Sequence, residues 1–494
     1  MNDNQSNHPR NILYIFTDDQ SFRSVSCYPE AHSWVSTPNI DRLAHEGMRF
    51  SNCYTSAWCA PSRATYLTGK LPHGITSMHL PTSYPNYVRD PDQCPYWLEN
   101  LRENGWYTGI VGKWHTGPDH GHGRYWDFSA IWDHSQPEKY GPYYINQNMS
   151  IHGEPPEPVG GYSTDNYTEY ALEFLRGRAE EPDKSWHLWL CYDAVHGPWE
   201  VADRHLGDYS DTPQVPTPED IYPPRPTKAT HMRDYGVWRE ADHGQPVYAR
   251  DDRTLTDWVQ QYNRGVLALD EGVGKVIGAL EEMGQLDDTL VVFTSDQGFA
   301  WGQHGFRLKV APYDANIKAP MIMRMPGLIP AGTVCDVPIG GQDIPPTFLS
   351  LIGMEQPWKM HGEDLTPLLT NPNAEWDRPL LMECTGHYFG EDTDIGYGKP
   401  IGNPPVPWWV SLCTGKYKYI RWLVPDEIEE MYDLENDPEE LENLALEPDH
   451  HELLAQFRQG TIDELRRTDA GMVDNLPPVM VLTREQLLGG ADRV

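Results

Sequence analysis

The 494-residue chain carries a formal charge of −35, from 38 basic and 73 acidic residues, which argues against a nucleic-acid partner because nothing supplies a basic footprint. No run approaches the roughly 18 apolar residues of a membrane span, and eight cysteines at irregular spacings make no disulfide framework. The length allows a large core, divided between a major and a minor domain.

Any pocket for an anion in so acidic a chain must be a local basic island, with long-range steering working against the ligand. The polar start, Met1 to Arg10, lacks the apolar stretch of a signal peptide. The expected compartment is the cytoplasm, or the periplasm or exterior if a leader has been removed.

In chain order, Asn11 to Thr17 is an apolar run ending in Asp18-Asp19 and reads as a buried strand. Thr37 to Gly47 has a helix start and a glycine stop. Residues 59–69 (Cys-Ala-Pro-Ser-Arg-Ala-Thr-Tyr-Leu-Thr-Gly) place Pro61 in the first turn of a further helix. A helix near 95–104 leads to Gly105 and a strand reaching Gly112, Asp165 to Arg178 reads as a helix, and Ser185 to Tyr192 as a strand.

Residues 197–250, with prolines at 213, 216, 218, 223, 224 and 226, read as a long surface excursion of the kind that often binds substrate. A helix over about 254–283 then precedes the strand Thr289 to Ser295. From about 371 the pattern changes, with a strand-like Lys416 to Leu423 followed by Met431 to Pro438. The expected division is 1–370 and 371–494.

Strands alternating with helices predict an α/β fold with a large, mostly parallel sheet covered on both faces. Ligands bind such sheets beyond the carboxyl ends of the strands. Asp18-Asp19, His196 and Asp296-Gln297 all fall there. Adjacent carboxylates repel unless a hard divalent cation offsets them, so Asp18, Asp19, Asp296 and Gln297 are candidate metal ligands, with residue 59 completing the site. Cys59 sits at the positive end of its helix, and Arg63, four residues on, shares its face and brings a fork suited to a tetrahedral oxyanion. A cysteine so held is a nucleophile candidate.

Cys59, Pro61, Ser62, Arg63, Leu67, Thr68 and Gly69 fill a Cys-x-Pro-Ser-Arg-x-x-x-Leu-Thr-Gly pattern that resembles the signature of type I sulfatases. Gly105 to His115 resembles the second signature of that family, Gly-x-x-Thr-x-x-x-Gly-Lys-x-His, in which Lys113 and His115 share one face of an extended segment. His196-Gly-Pro198 resembles its His-x-Pro element, and Lys309 its late lysine. A lone Lys-x-His or Asp-Asp would be surface decoration; the complete set is not.

The resemblance implies an alkaline-phosphatase-like fold with a smaller C-terminal subdomain of four antiparallel strands and a helix. It also implies sulfate-ester hydrolysis through formylglycine, made from Cys59 by a formylglycine-generating maturation enzyme. The metal implied is Ca2+, with Mg2+ and Mn2+ as alternatives. Gln297 departs from the family's usual asparagine, and its extra methylene alters reach.

The same resemblance has Lys113 bridging formylglycine and sulfate and His115 hydrogen-bonding a formylglycine hydroxyl. Asp296 would take a proton from the attacking hydroxyl, and His196 with Lys309 would assist the leaving alcohol. His304 is a further candidate at the ester oxygen.

Of 18 tryptophans, Trp58, Trp114, Trp199 and Trp301 neighbour these residues in sequence. Trp114 and Trp301 are candidate sugar-binding faces, so a sulfated carbohydrate is the expected substrate. Two rivals remain at this level: a phosphonate monoester or phosphodiester hydrolase of the same superfamily, and a non-catalytic glycan-binding protein, which would lack the site residues found here.

Overall fold

The computed structural model describes residues 8–75, 94–241, 244–385 and 406–489. Asn11–Thr17 forms strand β1, buried along its whole length, as an unbroken apolar run requires of a strand covered on both faces. In chain order follow β2 (Met48–Tyr54), β3 (Tyr107–Trp114), β4 (Phe128–Asp133), β5 (Asn148–Ile151), β6 (Glu157–Pro158) and β7 (Trp186–Cys191). After them come β8 (Trp238–Arg239), β9 (Val247–Tyr248), β10 (Thr289–Ser295), β11 (Ala319–Arg324), β12 (Thr333–Cys335) and β13 (Ile339–Gly340).

The main sheet runs β12-β2-β11-β10-β1-β7-β3-β4-β5-β6, with β13 beside β2. Its centre is parallel: β1 pairs with β10 and β7, and β3 with β7 and β4. Antiparallel β11 joins β10 to β2, a pairing no local pattern announced.

Alternation along β1 divides the core. Leu13 and Ile15 join Tyr167, Phe174, Leu269 and Val273 of the helices Ser163–Ala179 and Leu255–Glu282. Ile12, Tyr14 and Phe16 face the opposite way, onto Tyr66, Trp97 and Phe348 of the helices and turns on the other side. The long helix begins where Thr254 and Asp257 cap it reciprocally, each side chain accepting from the other's backbone N–H at 3.1 and 3.0 Å.

The excursion 197–250 holds the β8–β9 ribbon. It lies against the long helix, with Ala202, Val215, Ile221 and Tyr248 packed around Trp258 and Val259.

A second sheet comprises β14 (Leu380–Cys384), β15 (Trp409–Thr414), β16 (Tyr417–Trp422) and β17 (Glu430–Asp433), all antiparallel, with the helix His451–Arg467 packed on it. This is the expected small subdomain of strands and a helix. It is fastened to the segment 306–317: the Trp409 indole donates to Val310 O at 2.9 Å, and Tyr313 Oη to Glu430 Oε2 at 2.9 Å.

The fastening includes fully buried charge. Lys418 Nζ on β16 lies 2.6 Å from Asp314 Oδ1 and 2.5 Å from Glu440 Oε1, while Tyr54 Oη of β2 donates to the same Asp314 oxygen at 2.9 Å. Removing one member of such a group strands the others in a low dielectric. Lys418→Met should therefore destabilise the protein by about 3–5 kcal/mol. A thermal unfolding midpoint equal to wild type would show that the network contributes nothing.

Candidate active site

The carboxyl edge of the main sheet brings four chain segments side by side. Beyond the strand ends the ladder continues: Asp18 N donates to Ala194 O at 3.0 Å, Val195 N to Asp18 O at 2.7 Å, and Asp296 N to Thr17 O at 3.0 Å. Asp18-Asp19 is thereby held between residues 193–196 and Asp296-Gln297. Asp19 takes a left-handed φ of +57°, which aspartate tolerates, and its N–H donates to Asp296 Oδ1 at 2.9 Å.

Cys59 opens the helix Cys59–Thr68, after an extended Trp58. The helix stops at Gly69, whose φ is +69° and whose absent Cβ would fall 2.5 Å from Met360 Sδ. Ser62 Oγ donates to Asp296 O and ties the helix to the end of β10. Lys309 Nζ reaches both Cys59 Sγ at 2.9 Å and Asp19 Oδ1 at 2.5 Å.

On β3, period-two alternation sends Lys113 and His115 to one side and Trp114 to the other. Lys113 Nζ donates to Asp18 Oδ2 and, at 2.9 Å, to Tyr143 Oη. Gly112, at φ +103°, lies so close to Cys191 O that no side chain fits there. His196 Nε2 stands 3.7 Å from Asp19 Oδ2.

Asp18, Asp19, Cys59 and His196 offer ligand atoms all within 4.8 Å of one another. Gln297 Nε2 donates to Asp19 Oδ1, which leaves Gln297 Oε1 buried without a partner, as is Asp18 Oδ1. Two orphaned buried acceptors beside three carboxylates fit a hard divalent cation.

The titration behaviour says the same. Burial would raise the Asp18 carboxyl, but Lys113, His196 and Lys309 outweigh it and hold it well below the usual carboxylate range. Asp296 is pushed well above that range, by burial and by Asp18. Without a cation, these neighbours cannot all stay ionised.

Burial pushes the Cys59 thiol up to about 12, despite Lys113 and Lys309 close by. As a thiol it is protonated at neutral pH and a poor nucleophile. Burial lowers His115, helped by His134, Lys113 and Arg63. It lowers His196 to about 4, with Lys309 and Lys113 adding to the effect against Asp19 and Asp18. Both imidazoles are neutral at pH 7.

Three expectations need correcting. Arg63 is not a free fork for an oxyanion: it is fully buried, with Nη1 donating to Lys113 O at 2.9 Å, Nη2 3.4 Å from Asp296 Oδ2, and its plane over Phe16. Sharing a face with Cys59 points it into the sheet edge, beneath the site. Trp114 is a core residue, 1% exposed, its indole donating to Gly117 O at 2.6 Å. His304 is turned away onto the excursion, with Nδ1 2.6 Å from Asp220 Oδ2 and its ring against Tyr313.

Trp301 lies in an aromatic cluster with Trp199, Phe299 and Tyr262, beside a cavity of about 290 Å³ that the 215–220 segment also lines.

Two residues escaped the sequence. Tyr143 Oη bridges Asp18 and Lys113 while its ring stacks on His196 at 4.7 Å. His134 packs edge-on against His115 at 4.5 Å. His134 directly follows β4 and the carboxyl-end rule would have found it; Tyr143 sits in a loop with no such signal.

A mostly parallel sheet with a helix-borne cysteine and an oxygen-rich cation site at its carboxyl edge defines a hydrolase of the alkaline phosphatase superfamily. The sulfatase family model matches residues 10–354, and the C-terminal model of N-sulphoglucosamine sulphohydrolase matches 302–468. The chain belongs to the sulfatase family and is a sulfuric ester hydrolase.

An N-acetylglucosamine-6-O-sulfatase of Bacteroides thetaiotaomicron is 30% identical, over 88% of this chain and 82% of its own. A choline-sulfatase of Rhizobium meliloti is 29% identical, over 89% and 83%. A protein solved with its substrate D-glucosamine-2-N,6-O-disulfate is similar at TM-score 0.78 and 26% identity, covering 94% of this chain and 98% of that one. A phosphonate monoester hydrolase from Silicibacter pomeroyi, at TM-score 0.67 and 22% identity over 94% and 96%, shows the shared fold alone.

Chelation tests the cation site. Stripping divalent ions should cut aryl sulfate turnover on the order of 100-fold and lower the unfolding midpoint, with both restored by Ca2+, Mg2+ or Mn2+. Full activity and an unshifted midpoint after exhaustive chelation would mean that no ion is bound.

Proposed function

We propose that this sulfatase hydrolyses a sulfate ester of a carbohydrate, through formylglycine formed from Cys59 by a maturation enzyme and with Ca2+ held by Asp18, Asp19, Asp296 and Gln297. The observation that carries the formylglycine reading is Cys59 itself. It opens a helix beside Lys309 and the carboxylates, within the motif that resembles the family's signature, and burial pushes its thiol up, so that it stays protonated at neutral pH. A carbohydrate is favoured by the match to an N-sulphoglucosamine sulphohydrolase C-terminal region and by relatives whose names specify amino-sugar sulfates.

The cation would supply Lewis-acid charge that lowers the pKa of a hydroxyl at residue 59, and formylglycine the hydrated aldehyde that carries it. The chain's own groups do the rest. Lys113, anchored by Asp18 and Tyr143, holds positive charge against the sulfate oxygens. Lys309, kept charged against burial by Asp19, offsets charge developing on the ester oxygen.

His115 is neutral and suited to take a proton. His196 is neutral in the free site, and the negative charge of a bound sulfate raises its affinity for a proton, which it can then give to the departing alcohol. Arg63 positions Asp296 and the Lys113 carbonyl.

Mass spectrometry of the tryptic peptide containing residue 59 should show a loss of about 18 Da, the change from cysteine to aldehyde, together with turnover of aryl and sugar sulfates but little of an aryl phosphonate. Full conversion accompanied by phosphonate turnover alone would overturn the reading. For His196→Ala, turnover of substrates with poor leaving groups should fall about 10²–10⁴-fold while activated aryl sulfates change little. Equal losses on both would remove His196 from the general-acid role.

A further inference from the structure

Among the site's ionisable groups, Asp18, Arg63, Lys113 and Asp296 are wholly buried, whereas His196 keeps 22% and Lys309 12% of its side chain exposed. Substrate therefore approaches along the side of His196 and Lys309. Arg307 lies two residues before Lys309, and Trp199 three after His196, so short chain segments tie both to that entrance.

The guanidinium of Arg307 is partly buried against aromatic faces, with its carbon 3.5 Å from the ring centre of Tyr248, 4.3 Å from Trp258 and 5.1 Å from Trp199. Trp301 closes the group, its ring centre 5.5 Å from Trp199 and 6.3 Å from Trp258. Stacking satisfies the flat faces of a guanidinium but leaves its N–H edge to find acceptors.

Among the described residues, Arg307 Nε and Nη1 are buried and donate to nothing, and Arg307 forms no close ion pair; its side-chain partner is Tyr248, and Asp251 acts on it only through space. The indole N–H groups of Trp199, Trp258 and Trp301 are likewise buried without acceptors. Arg253 adds a second cation, stacked 3.8 Å from the ring centre of Trp258.

Single unpartnered donors occur elsewhere among the described residues, but four side chains in one cluster, all donors and one a cation, suit a shared acceptor that carries negative charge.

We propose that Arg307, Trp199, Trp258 and Trp301 form a second anion subsite, which takes a further sulfate or carboxylate of the substrate while the scissile sulfate faces Cys59. The proposal rests on the carbohydrate reading only for the kind of molecule that carries both anions. It makes the enzyme selective for doubly anionic substrates, with a planar fork and indole donors reading an oxyanion.

The test uses the matured enzyme and matched probe pairs: D-glucosamine 6-sulfate against its 2-N,6-O-disulfate, and sulfated disaccharides with and without a uronate. KM is measured for each, and each also competes against aryl sulfate turnover. In the wild type, the member with the second anion of at least one pair should bind about 10-fold or more tightly. Arg307→Gln should bring that ratio to about one through KM rather than kcat, Arg307→Lys should keep part of it, and Trp199→Phe, which removes an indole N–H but keeps a ring, should reduce it.

If no pair shows a preference, or the preference survives Arg307→Gln, the cluster is only aromatic packing and the proposal falls. Sugars that compete with the expected preference but are not hydrolysed would sink the carbohydrate reading and leave the subsite standing. Sugars hydrolysed with no preference would do the reverse.

Discussion

Three carboxylates, Asp18, Asp19 and Asp296, are packed into one buried spot, and the rest of the site is arranged around the repulsion between them. Their neighbourhood follows from strand order: β1 lies between β7 and β10, and all three end at the same edge. Lys113 from β3, Lys309 from the loop after β10 and Arg63 from the helix that Cys59 opens each place a cation against this group. The balance is incomplete: Asp296 stays well above the usual carboxylate range and two acceptor oxygens lack partners. A divalent cation fits such a cluster.

The same crowding sets the chemistry of the other groups. A formal charge of −35 over the whole chain coexists with buried cations set among the site's carboxylates, so attraction of an anion is short-range here. Burial raises the Cys59 thiol and lowers the histidines, which leaves a site poor in reactive thiolate and rich in neutral imidazole.

The second sheet matters to this arrangement because it grips the segment that presents Lys309. Phe306, Val310 and Tyr313 pack in one cluster with Trp409, Tyr419 and Tyr432, and the buried Lys418 draws Asp314 and Glu440 together. On the other side, the proline-rich excursion sends Tyr248 to Arg307 and Asp220 to His304. The loop 297–309 is thus held between two distant parts of the chain.

The sequence by itself determined the central strands, the long helix, two segments of the small C-terminal sheet and the positions of the chemistry-bearing residues. Hydrophobic runs, glycine and proline stops, and motif spacing are local properties. Alternation on β3 was enough to put Lys113 and His115 on one face, and the same alternation sends Trp114 into the core.

What only the tertiary structure decided is how side chains from separate strands meet. Antiparallel β11, the bridge made by Tyr143, His134 beside His115, the inward turn of Arg63 and the capture of His304 by Asp220 all join residues far apart in the chain. Hydrogen-bond partners and burial are set by that packing, and the spacing of residues along the chain carries no record of it.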